Sequence, residues 1–224
     1  MASSKTNRIF IVDDHPLIRH GLYHAVSSVE RFVVCGMAGS VAEALSGIEQ
    51  LRPDGMILDM HLPDGDGLGL LHQLSARTLQ IPTLILSVCD ESVYAPRMFS
   101  AGARGFLMKD APLDEILAAL QKIFAGNLAF SDTVVTRLLS RQKDGVADPL
   151  DQLSNQELTA CRLLGMGMRN KEVAARMNLS AQTIGTYKSR ILRKLGLSSQ
   201  YELEAFMRLH ADGGSCSLPT GDHT

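Results

Sequence analysis

The sequence predicts a parallel α/β sheet covered by helices on both faces, followed by a smaller all-helical segment. Two observations support this fold class. Short apolar runs alternate with amphipathic helical patterns five times in the first half of the chain. From Leu150 onward the pattern is purely helical. Five consecutive strand–helix units favour parallel strands joined by right-handed crossovers.

Each element of the first half follows from its own pattern. The strands are predicted at 8–12, 32–37, 56–58, 83–86 and 105–108, where Ile, Val, Leu, Met and Phe are concentrated. The helices between them are predicted at 16–28, 41–51, 67–77, 92–101 and 112–125. Pro16 and Pro112 stand where a first helical turn tolerates proline, and Gly102 and Gly126 stand where helices tend to end.

Polar side chains follow four of the five predicted strands. Asp13 and Asp14 follow the first strand and Asp59 follows the third. Ser87 follows the fourth strand and Lys109 the fifth. Because ligands gather at the carboxyl ends of parallel strands, we expect these five side chains to meet at one edge of the sheet.

Three carboxylates at one edge need a cation or a proton. Two like charges ~4 Å apart repel by about 4 kcal/mol at an effective dielectric constant of 20. Mg²⁺ suits hard oxygen ligands, and it would neutralise charge on a transferring phosphoryl group. Asp59 would then be the nucleophile that takes up the phosphoryl group. For each residue alone, a helix-capping turn or a solvated loop side chain remains an equal alternative.

These residues resemble the motifs of response-regulator receiver domains. The matching residues are Val12-Asp13-Asp14-His15, Leu58-Asp59-Met60-His61-Leu62-Pro63 with Gly67, Ser87 and Lys109. The resemblance covers nearly all of residues 6–127 and implies a flavodoxin-like fold with strand order 2-1-3-4-5. It implies that a histidine kinase phosphorylates Asp59, and that the protein is a regulator whose only chemistry is slow gain and loss of this phosphoryl group.

The resemblance also implies a role for each residue of the site. Mg²⁺ would be bound by Asp14, Asp59 and the backbone carbonyl of His61, with Asp13 acting through water. Ser87 and Lys109 would hold the phosphoryl group. Phe106 matches the aromatic residue that turns inward when the active form is reached.

Two rival functions remain open at this point. Val88 stands where the family usually has a smaller residue, which favours a degenerate receiver in a phosphorylation-independent DNA binder. A phosphatase using Asp59 as nucleophile is the other rival. Such enzymes usually carry a second Asp two residues on, and here that position is His61.

The second half of the chain is basic and helical. Residues 150–212 hold 9 Lys and Arg against 6 Asp and Glu, whereas residues 1–127 hold 10 against 14. This asymmetry makes the second half a candidate for a polyanionic partner. Ser154 with Glu157 predicts a capping box and a helix to Leu164. Further helices are predicted at 171–177, capped by Asn170, and from a Ser180 cap to about Leu195.

The last of these helices has one apolar and one polar face. Ile184, Ile191 and Leu195 share the apolar face. The opposite face holds hydrogen-bonding and cationic groups without an acid: Gln182, Thr186, Ser189, Arg190 and Arg193. Such a face suits the major groove of double-stranded DNA, although a solvated face of an ordinary bundle is an equal alternative from periodicity alone.

The segment 153–197 resembles the LuxR-type helix-turn-helix. The match rests on Leu153-Ser154-x-x-Glu157, Gly167-x-x-Asn170-Lys171-Glu172-Val173-Ala174, Leu179-Ser180-x-x-Thr183-Ile184 and Lys194-Leu195-Gly196. The resemblance implies that Thr186 and Ser189 face bases, and that Lys171, Thr183, Lys188 and Arg193 hold phosphates. It implies a homodimer formed through the last helix, with Tyr201, Leu203, Phe206 and Leu209. Gln156, Tyr187 and Gly185 depart from the family pattern.

The remaining expectations concern organisation and location. The domains are predicted at 6–127 and 150–211, with a linker at 128–149 that contains a short helix at 131–140, and a disordered tail at 212–224. No apolar run reaches the ~18 residues needed to cross a membrane, and the four scattered cysteines suit free thiols. We therefore expect a cytoplasmic protein with no membrane partner.

Overall fold

The computed structural model describes residues 6–89, 91–136 and 149–211, except for the side chains of residues 92, 93 and 209–211. Contacts between residues divide the chain into two compact units, Met1–Gly145 and Val146–Thr224. Among the described residues, no helix combines the length and the apolar character that crossing a bilayer requires. The predicted tail, 212–224, lies outside the described residues.

A five-stranded parallel sheet forms the centre of the first unit. Its strands are β1 (Asn7–Val12), β2 (Phe32–Ala38), β3 (Gly55–Asp59), β6 (Thr83–Ser87) and β7 (Gly105–Met108). They lie in the order β2-β1-β3-β6-β7, which is 2-1-3-4-5 when these five alone are counted. The predicted fold class and strand order are confirmed, and the strand bounds differ from the predicted ones by one residue at most.

Helices pack on both faces of this sheet. They are α1 (Pro16–Ser27), α2 (Val41–Leu51), α3 (Gly67–Ala76), α4 (Glu91–Ser100) and α5 (Leu113–Phe124). On one face, Ile11 shares a buried core with Val26 of α1 and Leu120 of α5. On the other, the Phe10 ring lies so close to α2 that a Cβ added at Gly47 would be 2.7 Å from it. Successive residues of β1 therefore face two helical layers, as the pleat of a strand requires.

A short antiparallel hairpin follows β3 and was not predicted. Its strands are β4 (His61–Leu62) and β5 (Gly65–Asp66). At its turn, the carboxylate of Asp64 accepts hydrogen bonds from the N–H groups of Val41 at 2.7 Å and Ala42 at 3.0 Å. Desolvation raises the pKa of Asp64, but these bonds outweigh it and hold the pKa below its ordinary value. The loop after Asp59 is thereby fixed to the start of α2.

The first unit continues past residue 127, where the sequence places the start of a linker. Ala129 forms a β-bridge with Gly105. The rings of Phe99 and Phe130 meet edge to face at 5.8 Å, and Val134 is buried. The first unit therefore extends beyond the predicted domain end at residue 127, because the residues that follow still cover apolar surface. A helical stretch at 132–136 agrees with the start of the predicted helix 131–140, and residues 137–148 lie outside the described part.

The described part of the second unit, residues 149–211, contains a 3₁₀ turn (Pro149–Gln152) and four helices. The helices are α6 (Asn155–Gly165), α7 (Asn170–Met177), α8 (Ala181–Leu195) and α9 (Gln200–Ala211). The predicted capping box is confirmed, since Ser154 Oγ accepts from the Glu157 N–H at 3.2 Å and Glu157 Oε2 accepts from the Ser154 N–H at 2.9 Å. Ser180 Oγ caps α8 by accepting from the Thr183 N–H at 3.0 Å. Gly196 ends α8 with a φ of 67°, a conformation that glycine adopts without a Cβ clash.

The start of α7 differs from the prediction that Asn170 is its cap. In the structure Arg169 is the N-cap and Asn170 is the first helical residue. The side chain of Glu172 accepts a hydrogen bond from the Arg169 N–H at 2.7 Å. The prediction was wrong because it considered only short side chains at the cap, whereas a long acid in the first turn satisfies the same backbone group.

Candidate functional sites: an acidic pocket and a basic helix

The carboxyl ends of β1 and β3 bring three carboxylates together. The side chains of Asp13 and Asp59 are only 2% and 3% exposed, whereas that of Asp14 is 36% exposed. The carboxylates of these three residues and the imidazole of His15 offer ligand atoms that all lie within 4.8 Å of one another. The convergence predicted from the strand ends is therefore present in the structure, and we refer to this group as the acidic pocket.

Lys109 follows β7 and enters the acidic pocket from the side. Its Nζ lies 2.6 Å from Asp59 Oδ2 and 2.8 Å from Asp13 Oδ2. Its backbone N–H donates to the Ser87 carbonyl at 2.8 Å, which fixes the loop after β7 to the end of β6. One ammonium group thus faces three carboxylates, so the pocket keeps an excess of negative charge.

Burial and hydrogen bonding together shift the pKa values of Asp59 and Lys109. Burial raises the pKa of Asp59 above its ordinary value, although Lys109 and the His61 N–H act in the opposite direction. Desolvation lowers the pKa of Lys109, but its hydrogen bonds to Asp13 and Asp59 outweigh it and raise the pKa overall. Asp59 is thus a carboxylate whose charge is only partly compensated, and added positive charge at the pocket would stabilise it.

The donor set of the acidic pocket fits a divalent cation. The available ligand atoms are carboxylate oxygens and one imidazole nitrogen, and the two buried carboxylates share a single ammonium partner. Hard oxygen donors with positions left for water suit Mg²⁺. Asp14 and Asp59, which the resemblance to receiver domains implies as direct ligands, both belong to this group, and so does Asp13.

His61 and Gly67 hold the backbone next to Asp59. The N–H of His61 donates to Asp59 Oδ1 at 3.2 Å. The N–H of Gly67 donates to the Met60 carbonyl at 2.9 Å, and a Cβ added at Gly67 would be 2.8 Å from the Asp59 carbonyl oxygen. The close approach of these two loops requires glycine at this position. The backbone of His61 therefore takes part in the pocket, although the assignment of its carbonyl as a metal ligand stays a prediction.

Ser87 and Phe106 lie on the neighbouring strands β6 and β7 and are both buried. The hydroxyl of Ser87 accepts a hydrogen bond from the Cys89 N–H at 2.9 Å. The side chain of Phe106 is 1% exposed and so points inward. Val88, the residue after Ser87, is 70% exposed, so its bulk lies in solvent and does not fill the interior beside Phe106.

The polar face predicted for α8 is exposed in the second unit. Ile184, Ile191 and Leu195 are buried, as predicted. The exposed predicted DNA-contact residues are Gln182, Thr186, Ser189, Arg190 and Arg193 on α8 and Lys171 on α7. Thr183 and Lys188 are half-buried. Lys188 donates to Gln200 Oε1 at 2.6 Å, so this ammonium group is held toward the start of α9.

Two contacts that sequence reasoning missed hold α8 against α6. Lys194 Nζ lies 2.6 Å from Glu157 Oε2, and the Glu157 side chain is only 6% exposed. The hydroxyl of Tyr187 donates to Gln156 Oε1. Both residues of the second contact depart from the family pattern, and that shared departure was the available signal. These contacts fix the orientation of the polar face of α8.

The residues predicted for dimerisation do not form one exposed surface on α9. Leu203 and Phe206 are buried at 0% and 6% exposure, because α9 packs against α6. Their assignment to a dimer interface is corrected: an apolar side chain that completes the core of its own unit is not free to cover a partner. Tyr201 is 75% exposed, and the side chain of Leu209 lies outside the described residues.

Comparison with known proteins agrees with the two-unit arrangement. Residues 9–121 match the response regulator receiver domain, and residues 151–207 match the bacterial regulatory proteins of the luxR family. The chain is 34% identical over 201 residues to the DNA-binding transcriptional activator DevR/DosR of Mycobacterium tuberculosis, covering 89% of this chain and 93% of that protein. It is 33% identical over 193 residues to the nitrate/nitrite response regulator protein homolog of Haemophilus influenzae, covering 86% and 92%.

A solved structure agrees with the fold. RcsB of Salmonella enterica, bound to promoter DNA in the presence of the phosphomimetic BeF₃⁻, is similar with a TM-score of 0.58 at 22% identity, covering 91% of this chain and 98% of that one. Receiver domains typically bind Mg²⁺ at an acidic pocket of this kind. From the family matches, the sequence identities and the fold together, the chain belongs to the LuxR-family two-component response regulators, with a receiver domain followed by a DNA-binding helix-turn-helix domain.

Proposed function

We propose that a histidine kinase phosphorylates Asp59, and that this modification controls dimerisation and sequence-specific DNA binding to regulate transcription. The observation that supports this most directly is the unequal pairing of Asp59. Its carboxylate is buried, and Lys109 at 2.6 Å is shared with Asp13. Because Lys109 also pairs with Asp13, it does not fully neutralise the Asp59 carboxylate, which stays available as a nucleophile.

The transfer itself needs a nucleophile and a place for the new charge. A carboxylate oxygen of Asp59 attacks phosphorus, the P–N bond of a kinase phosphohistidine breaks, and its electron pair stays on the histidine nitrogen, which takes up a proton. Lys109 and the Ser87 hydroxyl then hold the phosphoryl oxygens. Mg²⁺, held by Asp14, Asp59 and the His61 carbonyl with Asp13 acting through water, would neutralise the charge that develops.

The change is passed on by a shift between two receiver conformations. Ser87 moves toward the phosphoryl group, and the buried ring of Phe106 follows it. Reversing a population from 1:99 to 99:1 requires about 5.5 kcal/mol of differential stabilisation. A new dianion that contacts Lys109, Ser87 and Mg²⁺ only in the active form is a suitable source for it.

The helix-turn-helix domain then binds operator DNA as a homodimer. The exposed face of α8 enters the major groove, where Thr186 and Ser189 contact bases, with Gln182 and Arg190 beside them. Lys171, Thr183, Lys188 and Arg193 hold phosphates. The two half-sites would lie about 34 Å apart or a multiple of that distance. Because Leu203 and Phe206 are buried, we assign the dimer contact on α9 to its exposed side, which includes Tyr201.

The test compares three full-length proteins: wild type, Asp59→Asn and Asp114→Asn. Asp114 is an exposed acid in the first turn of α5 and serves as the matched control. Each protein is incubated with acetyl phosphate and Mg²⁺, and phosphorylation, mass in solution and affinity for genomic operator fragments are measured. We expect wild type and Asp114→Asn to become phosphorylated, dimerise and bind more tightly, and Asp59→Asn to do none of these.

Two results would contradict the proposal. Equal DNA affinity of Asp59→Asn and wild type, with and without phosphodonor, would indicate the phosphorylation-independent regulator instead. Continuous hydrolysis of a phosphomonoester by the wild type would indicate a phosphatase. The exposed position of Val88 argues against crowding of the interior beside Phe106, which is one of the two ways in which its bulk would favour the first of these alternatives.

A further inference from the structure

His15 is the one nitrogen donor in the described group of side chains that could hold a metal ion. Its Nδ1 lies 2.5 Å from Asp14 Oδ1 and 3.4 Å from Asp13 Oδ1. The sequence assignment of the metal site used only oxygen atoms and gave His15 no role. The imidazole edge thus lies between the two carboxylates that follow β1, on the open side of the acidic pocket.

The backbone holds His15 in this place. His15 is the N-cap of α1 with extended dihedral angles (φ −88°, ψ 110°), and Pro16 follows as the first helical residue. Its N–H donates to Asp13 Oδ1 at 2.8 Å, so the backbone of His15 is bonded to the acidic pocket. Proline at the next position further restricts the dihedral angles of His15. The imidazole therefore reaches the carboxylates without a rearrangement of the loop.

The nature of the donor decides which ions it favours. Mg²⁺ prefers oxygen and gives up its waters reluctantly, so an imidazole adds little to its binding. Mn²⁺ and Co²⁺ accept mixed oxygen and imidazole ligands, and Co²⁺ binds such sites more tightly than Mn²⁺ does. A nitrogen ligand beside three carboxylates would therefore raise the affinity for these ions much more than the affinity for Mg²⁺.

We propose that His15 is a ligand of the divalent cation in the receiver pocket and makes the pocket favour Mn²⁺ and Co²⁺ over Mg²⁺. The inference rests on the proposed function, because it concerns the cation that serves phosphorylation of Asp59. The neutral imidazole binds the ion through Nδ1, the atom that lies beside Asp14. Bound in place of Mg²⁺, such an ion takes the same carboxylates and adds one nitrogen.

The first experiment detects the nitrogen directly. Full-length protein is loaded with Mn²⁺ alone and studied by pulsed electron paramagnetic resonance, which reports ¹⁴N bound to the ion. We expect a coupling from a directly bound nitrogen in wild type and in His20→Asn, and its loss in His15→Asn. Asn is a favourable N-cap residue, so His15→Asn keeps the start of α1. His20 is exposed on the same helix, outside the metal-binding group, and serves as the matched control.

The second experiment measures affinity. Calorimetric titrations with Mg²⁺, Mn²⁺ and Co²⁺ are made on the same three proteins. We expect His15→Asn to weaken Co²⁺ binding by about tenfold and Mg²⁺ binding by less than about twofold, because imidazole is a preferred ligand of the later ions.

The outcomes separate this inference from the proposed function. If Mn²⁺ binds to wild type without a bound nitrogen, or if His15→Asn weakens all three ions equally, the inference is wrong and the pocket is an oxygen site only. If none of the three ions binds to wild type, both the inference and the role of Mg²⁺ in the proposed function are wrong.

Discussion

In each unit of the protein a buried carboxylate lies at the same distance from a lysine ammonium group, and the two carboxylates behave in opposite ways. Lys109 lies 2.6 Å from Asp59 in the first unit, and Lys194 lies 2.6 Å from Glu157 in the second. Burial raises the pKa of Asp59. Desolvation acts in the same direction on Glu157, but Lys194 and Ser154 outweigh it and lower the pKa of Glu157.

Burial is the largest influence on both carboxylates, and it outweighs the hydrogen bonds at Asp59 but not at Glu157. The number of partners that each ammonium group serves adds to this difference. Lys109 is shared between Asp13 and Asp59, with Asp14 beside them, so the group as a whole stays negative. Among the described residues Lys194 pairs with Glu157, and the Ser154 N–H donates a further hydrogen bond to the same carboxylate. The first contact is left open to a cation and a phosphoryl group, whereas the second is complete and serves to hold α8 on α6. Distance alone therefore does not distinguish a reactive ion pair from a structural one.

Addition of Mg²⁺ gives the largest expected difference between the two contacts. We expect Mg²⁺ to raise the melting temperature of the first unit and to leave that of the second unchanged. At a free concentration 100 times the Kd, binding to the folded state alone contributes about 2.7 kcal/mol. Differential scanning calorimetry of the whole chain, with EDTA and then with Mg²⁺, measures this. Asp14→Asn should reduce the response, and an equal shift of both units would contradict the comparison.

Replacement of Lys194 by Met should destabilise the second unit by about 2 kcal/mol. The change leaves the buried Glu157 carboxylate unpaired, and the partial exposure of Lys194 keeps the cost below that of a fully buried pair. Amide hydrogen exchange in α6 and α8 should accelerate by about thirtyfold. Mg²⁺ should not restore it. Arg193→Met, an exposed neighbour on the same helix, is the control and should exchange like wild type.

Acidification should weaken the second unit through the same contact. Because the folded-state pKa of Glu157 lies below its ordinary value of 4.5, its contribution to stability is present above that value. The contribution is lost as the pH falls through the folded-state pKa. Urea unfolding of the second unit at pH 7 and at successively lower pH measures this loss, which should be much smaller in Glu157→Gln. A variant that keeps the full acid sensitivity would show that another group is responsible.

The smallest effect comes from one added methyl group on α8. A Cβ at Gly185 would meet only Asn170 Nδ2 at 3.9 Å, so Gly185→Ala should stabilise the second unit by about 0.5–1 kcal/mol. The same change at Gly67 brings a Cβ within 2.8 Å of the Asp59 carbonyl and should destabilise the first unit by about 1–3 kcal/mol. Thermal unfolding of both variants tests the contrast. A loss of stability in Gly185→Ala would mean that the space around residue 185 does not admit a Cβ atom.

Much of the acidic pocket followed from the sequence because parallel strands end at one edge. Asp13, Asp59 and Lys109 each directly follow or end a strand, so the strand pattern alone brought them together. The hairpin after β3 did not follow, since two-residue strands give no periodicity. The role of Leu203 and Phe206 was misjudged for another reason: an apolar helix face has the same pattern whether it covers its own core or a partner.

By itself the sequence determined the positions of the strands and helices of the first unit and the group of acids, because side-chain periodicity and strand-end position are local properties of the chain. The order of the strands followed from the resemblance to receiver domains. Only the tertiary structure decided which charges share a partner. The distance from Lys109 to two carboxylates, the capture of Glu157 by Lys194 and the place of His15 between Asp13 and Asp14 all join residues from different parts of the chain or depend on loop geometry. Electrostatic compensation depends on those distances, and so it is absent from any linear pattern.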